Sequence, residues 1–223
     1  MKKTLKRLFN KTKWYNLRSL APVSSVFGLD RGIPIDRIYI EDFLANNAKF
    51  ITGTVLEIAE NTYSKKYGIN VENYEVLHTS SENSAATIIG DLTDINTLPE
   101  CKVDCFICTQ TLNFIYDFKK AIQGGWYILK LKGIMLSTVS GISQISMYDM
   151  ERWGDYWRFT TISIKKSFEE VFGNGNVEVD FYGNVLSAIS FLEGISSEEL
   201  TKNELFYKDK NYPVTIVIKA LKR

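Results

Sequence analysis

The sequence predicts a doubly wound α/β fold, a seven-stranded and mostly parallel sheet with helices on both faces. Three observations carry this expectation. Seven short apolar or β-branched runs are spread along the chain, and most are continuous rather than alternating, as strands buried on both faces are. Stretches of helical period separate them. A chain of 223 residues, 45% of them hydrophobic, has the length and the core for one such domain.

The runs fall in order at 54–58, 74–78, 86–92, 103–108, 134–139, 177–182 and 213–220. Ahead of the first, Gly32 and Pro34 mark a turn. Asp36 is placed to cap a helix whose Ile40, Phe43 and Leu44 face inward. Arg31, Asp36 and Arg37 crowd the short loop before that helix, either as a site or as a salt-bridged turn. After the fourth run, Asp117 opens a helical pattern with Phe118, Ala121, Ile122 and Leu129 on one side. Further helices are expected at about 163–172, ending near Gly173, and at about 184–192. Residues 141–160 break the pattern, being rich in Met, Tyr, Trp, Asp and Arg. The expected division is a basic segment over 1–26 and one domain over 27–223, with 141–160 as an insertion.

Charge is uneven. Seven of the 27 bases (Lys2, Lys3, Lys6, Arg7, Lys11, Lys13, Arg18) and none of the 26 acids fall in residues 1–20, so the remainder is net −6. The overall charge of +1 argues against a protein that coats nucleic acid. Leu5, Leu8, Phe9, Trp14 and Leu17 give the basic segment a loose helical period. Two readings stand: a helix docked on the body or a frayed end, and a peripheral surface helix that meets acidic lipid or a partner. No apolar h-region follows the lysines, and no run reaches the length of a membrane span.

Cys101, Cys105 and Cys108 are odd in number and crowded, which fits a reducing, cytoplasmic setting better than a disulfide framework. Metal binding is not expected. Cys105 and Cys108 lie three apart in one strand, and such residues point to opposite faces.

The run Thr54-Val55-Leu56-Glu57-Ile58-Ala59-Glu60-Asn61-Thr62-Tyr63 delivers a carboxylate to a strand end and then turns. It resembles motif I of the class I S-adenosylmethionine-dependent methyltransferases, with Ala59, Glu60 and Asn61 where that family has glycines. Over about 27–220 the chain looks similar to bacterial methyltransferases of the type 11 group found near glycan-assembly enzymes. Asp30-Arg31-Gly32 through Tyr39-Ile40-Glu41, and 148–160, are the distinctive stretches. Lys130-Leu131-Lys132-Gly133 resembles the family's turn before the fifth strand, with Leu131 in place of proline.

The resemblance implies a Rossmann-like sheet whose last strand is antiparallel, and S-adenosyl-L-methionine as cofactor. It also implies a cofactor set of Glu57, Ala59, Asn61, Tyr63, His78, Asp91, Leu92, Thr109, Gln110 and Leu112. His78 stands where the family places a ribose acid, so Glu82, Thr79, Ser80 or Ser81 can share that work. Each assignment has a structural alternative: Glu57 as a cap of the next helix, Asp91 as a turn residue, His78 as packing. Tyr148, Trp153, Tyr156 and Trp157 offer flat faces suited to sugar rings, or else close the sheet edge as an aromatic cluster. Asp149, Asp155 and Arg158 are the catalytic candidates on the acceptor side. The expected activity is O-methylation of a sugar or glycan intermediate, the acceptor being a small molecule or a glycan. A second reading is an inactive module of the same fold tethered by its basic head. A nicotinamide-dependent oxidoreductase is disfavoured, because no G-x-G-x-x-G follows the first strand.

Overall fold

The computed structural model describes residues 18–223. The expectations placed on residues 1–17 lie outside the described residues. Seven strands form one sheet: β1 (Gly53–Ile58), β2 (Val71–His78), β3 (Ile88–Ile89), β4 (Val103–Thr109), β5 (Leu129–Ser140), β6 (Val177–Tyr182) and β7 (Thr215–Leu221). Their spatial order is β3-β2-β1-β4-β5-β7-β6. Pairings are parallel from β3 through β5, and β7 runs antiparallel to both its neighbours. This is the expected sheet, including the antiparallel last strand.

The helices are α1 (Ile35–Asn46), α2 (Thr62–Tyr67), α3 (Phe118–Ile128), α4 (Met147–Met150), α5 (Thr161–Phe172), α6 (Val185–Glu193) and α7 (Lys202–Phe206). The sheet divides the core in two. Ile35, Tyr39, Phe43 and Leu44 of α1 and Phe191 of α6 pack on one face with Val55 and Ile107. Ile122 of α3 and Phe168 of α5 pack on the other with Leu56 and Phe106. Cys105 is buried in the first core and Cys108 in the second, as strand alternation requires. Local signals set the helix ends. Thr160 and Ser163 form a capping box that starts α5, and Gly173 at φ 85° ends it. Asn184 and Ser187 do the same for α6, which closes on left-handed Gly194.

Four local expectations change. Asp36 lies inside the first turn of α1 and Pro34 holds the cap position, the Asp36 Oδ1 accepting from the Arg37 N–H at 2.8 Å. Pro suits that entry because its φ is already helical. Arg31 is not part of that group: it forms a two-bond pair with Glu199, at 3.0 and 2.8 Å. β3 keeps two residues of the seven expected, because Gly90 approaches the Thr97 carbonyl too closely for a side chain and Asp91 begins a turn. β5 begins at Leu129, and 130–133 loop out of register with β4, Lys132 taking φ 66°.

Candidate active site

The strand order reverses between β1 and β4, since the chain winds outward from β1 to β2 and β3 and then returns to lay β4 on its other side. In open α/β sheets the crevice outside the carboxyl ends at such a switch point is where ligands bind. Here both strands leave the sheet through a non-glycine residue in left-handed conformation, Ala59 at φ 65° after β1 and Gln110 at φ 48° after β4. An L-residue in that region costs roughly 1–2 kcal/mol, and such strain concentrates at functional sites.

The β1 turn is held from several sides. The Ala59 N–H donates to the Leu77 carbonyl at 3.1 Å, and Asn83 Nδ2 donates to the Ala59 carbonyl at 2.7 Å. Glu57 is 3% exposed, and its carboxylate is taken up by the start of α2. It accepts from the Tyr63 N–H at 3.1 Å, the Ser64 N–H at 2.7 Å and the Ser64 hydroxyl. Burial pushes the Glu57 carboxyl above its usual range, against the pull of those hydrogen bonds. The helix-capping alternative therefore describes this side chain, and it shapes the turn through α2. Asn61 stands at the cap position of α2 without a side-chain cap bond, and Tyr63 is half-buried in its first turn. Burial pushes the Tyr63 phenol up to about 12, with Arg37, Glu41, Asp36 and Glu60 acting on it through charge. Lys66 of α2 pairs with Glu41 of α1 at 2.9 Å, so α1 lies beside α2. Asp36 itself is pushed up to about 6 by burial.

On the β2 side, His78 is half-buried, its Nδ1 within 3.0 Å of the Ser80 carbonyl and 3.2 Å of the Ser80 nitrogen. Asp91 is exposed and makes the turn its alternative reading foresaw, Oδ1 accepting from the Thr93 N–H and hydroxyl at 2.8 Å each. Its Oδ2 has no partner among the described residues. Leu92 and Leu112 are core side chains. On the β4 side, Thr109 is half-buried and its carbonyl accepts from the Thr111 hydroxyl at 3.0 Å. Gln110 Oε1 accepts from Asn113 Nδ2 and from the Ser140 hydroxyl, at 2.8 Å each.

Residues 141–160 cross above the crevice. Asn113, 1% exposed, is their anchor: its Oδ1 accepts from the Ser140 N–H at 3.1 Å. Its carbonyl accepts from the Tyr156 and Trp157 N–H groups at 2.9 and 3.2 Å. The far end reaches β2, where the Trp153 ring stands edge-on to His78 with centroids 6.0 Å apart. Tyr148, Trp153 and Tyr156 are 66%, 50% and 49% exposed, so they do not close the sheet edge as a buried cluster, although the Arg152 guanidinium covers one face of Tyr148 at 3.6 Å. Trp157 is half-buried, its Nε1 donating to the Tyr116 carbonyl at 3.1 Å.

The three acceptor-side candidates part company. The Asp155 carboxylate has no exposure and meets Arg158 through both guanidinium nitrogens, at 2.5 and 2.9 Å, and the Ser146 N–H at 3.0 Å. Arg158 also donates to the carbonyls of Ser143, Gln144 and Trp157. This pair staples the crossing segment. Asp149 is half-buried, with Oδ2 accepting from the Ser146 hydroxyl at 2.5 Å and Oδ1 unpartnered among the described residues.

An open groove of about 500 Å³ lies elsewhere, against β6, β7 and the end of α1. Its charges are already matched: Lys208 to Asp180 at 2.5 Å, Lys219 to Glu178 at 2.8 Å, and the Tyr182 hydroxyl to Asp42 at 2.6 Å.

Comparison with known proteins places the fold. No protein-family model matches the chain, and no curated protein matches it. Solved structures do. A S-adenosylmethionine-dependent methyltransferase from Archaeoglobus fulgidus is similar over 83% of this chain and 94% of its own, at 14% identity and TM-score 0.53. A methyltransferase from Thermotoga maritima, described as a possible histamine N-methyltransferase, is similar over the whole of both chains, at 15% identity and TM-score 0.52. The [4+2]-cyclase SpnF is similar over 82% of this chain and 80% of its own, at 13% identity and TM-score 0.51. The chain has the Rossmann-like fold of the class I methyltransferases, a fold that also hosts a cyclase.

Proposed function

We propose that the protein is a S-adenosylmethionine-dependent methyltransferase acting on the hydroxyl oxygen of a small sugar or glycan intermediate. The observation that carries the reading is the pair of left-handed, non-glycine residues, Ala59 and Gln110, at the ends of β1 and β4. That pair sits at the switch point of a methyltransferase-type sheet.

The residues present fit an adenosyl cofactor. Ala59 makes the backbone turn that a glycine would make, and its side chain adds only a methyl group there. Ala59, Asn61 and Tyr63 would hold the amino-acid tail, with Glu57 fixing their turn from below. His78, with Ser80 or Glu82, would meet the ribose hydroxyls. The free Asp91 Oδ2 would take the adenine amine, above a floor supported by Leu92 and Leu112. Thr109 and Gln110 would line the wall from β4. When bound, the cofactor supplies an electrophilic methyl group. The chain then has to orient an acceptor and take a proton from it, and positioning accounts for much of the rate.

Asp149 Oδ1 is proposed as the atom that receives the hydroxyl proton. Asp155 and Arg158 are proposed to act through the segment they hold. The exposed faces of Tyr148, Trp153 and Tyr156 are proposed to stack on sugar rings.

A second reading, a binding module without turnover, is favoured by one feature: the turn after β1 has no glycine and carries the charged Glu60. Calorimetric titration with S-adenosylmethionine and S-adenosylhomocysteine tests the proposal. One saturable site for each is expected, and the absence of heat with both at millimolar concentration would sink it. Binding without methyl transfer to any hydroxyl acceptor would select the second reading.

A further inference from the structure

We propose that the outer face of α6, with the residues just ahead of α1, is a docking surface for an anionic lipid bilayer. α6 is apolar on both sides. Ala188 and Phe191 are buried in the core, while Val185, Leu186, Ile189 and Leu192 are 37–48% exposed along the opposite side. A helix lying on a protein surface in water normally carries polar residues there. The segment before α1 extends this face. The Ser24 N–H donates to the Glu193 carbonyl at 3.0 Å, and the Phe27 ring lies 5.7 Å from that of Phe191. A side chain on Gly194 would collide with the Ser24 carbonyl, so the two stretches are in backbone contact. That contact brings the backbone of this segment, in which Val23 and Val26 are 48% and 46% exposed, against the end of α6. Contiguous apolar surface of this kind marks an interaction site.

The charge pattern chooses the occupant. Residues 1–20, which precede this face in the sequence, hold seven Lys or Arg and no acid, against a remainder of net −6. Such a body would be repelled by an anionic surface and by another copy of itself, whereas each base near an anionic bilayer adds roughly 1 kcal/mol, about fivefold in affinity. Stable peripheral binding needs two such signals together, and here the apolar one follows the basic one in sequence. The acids at the edge of the face are turned onto the chain itself. Glu193 accepts from the Val23 N–H, Glu198 from the Ile33 N–H, and Glu199 pairs with Arg31. Among the described residues no helix is long and apolar enough to cross a membrane, so the association proposed is peripheral. Gln144 donates to the Ser25 carbonyl at 3.3 Å, which joins the face to the segment above the crevice.

The test is co-sedimentation of the full chain with vesicles of phosphatidylcholine plus phosphatidylserine, and with pure phosphatidylcholine. The protein is expected to pellet with the acidic vesicles only, and binding should fall at least about tenfold at high salt through screening of the bases. Leu186→Glu with Ile189→Glu should lower binding by about tenfold or more, placing charges in the apolar layer. A thermal melt checks that this variant is folded, and Val185→Ser with Leu192→Ser provides a milder second test. Three results would overturn the proposal: no pelleting with acidic vesicles, equal pelleting of folded variants and wild type, or a wild-type dimer in sedimentation equilibrium that the α6 substitutions dissolve.

Discussion

Replacing Asp155 with Asn separates holding the crossing segment from doing chemistry in it. The carboxylate is fully buried and accepts three hydrogen bonds, two of them from Arg158. Asn keeps one acceptor oxygen and loses the charge, leaving the guanidinium among the carbonyls of Ser143, Gln144 and Trp157. Hydrogen bonds to charged groups contribute about 1.5–3 kcal/mol each. Arg158 is 27% exposed, so water recovers part of the loss, and about 2 kcal/mol is expected. In a chain of this size that is a fall of roughly 4–8 °C in melting temperature. Should 143–157 open locally first, the loss will appear as faster hydrogen exchange there. Burial alone would raise the Asp155 carboxyl, but the Arg158 and Ser146 hydrogen bonds outweigh it and hold it below its ordinary value. Its contribution is therefore present at neutral pH and lost as pH falls through that lowered value, so wild type and variant should converge in acid. The assays are thermal melts across pH and amide exchange. A variant that melts and exchanges like wild type yet loses methyl transfer would refute the reasoning and return Asp155 to the chemistry.

Two further outcomes follow from strain and burial. Ala59→Val should destabilise by about 1–2 kcal/mol and weaken cofactor binding several-fold, because a β-branched side chain resists left-handed backbone. Ala59→Gly should be neutral or stabilising by up to about 1 kcal/mol, as melts and calorimetry will show. Asp36 has its carboxyl pushed up to about 6 from an ordinary value near 3.8, so stability should fall as pH rises between those values. Asp36→Asn should remove that slope and melt higher than wild type at pH 7 by the equivalent of about 1–2 kcal/mol, the half-buried side chain limiting the gain.

The sheet was legible because burial on two faces leaves a one-dimensional trace. Val103 to Cys108 reads as continuous apolar sequence, and its alternation assigns Cys105 and Cys108 to opposite cores. The end of α5 was equally local, since Gly173 closes that helix where the sequence places its stop. The site was less legible because its residues act through partners far away in sequence. Glu57 lies at the expected strand end, yet Ser64 and Tyr63 take its oxygens. Asp155 and Arg158 stand three residues apart, and the sequence does not say that each is the other's partner. Asn113 gave only a faint signal, an amide three residues beyond Gln110, and its role depends on Ser140 and Tyr156 arriving from elsewhere. Asn83, which fastens the β1 turn, gave none.

The most direct measurement of the central claim is a crystal structure of the protein soaked with S-adenosylhomocysteine. The ligand is expected in the crevice between β1 and β4, its amino-acid tail against Ala59 and Asn61, its ribose toward His78 and its adenine beside Asp91. Density elsewhere, or none at a concentration that saturates related enzymes, would contradict the account.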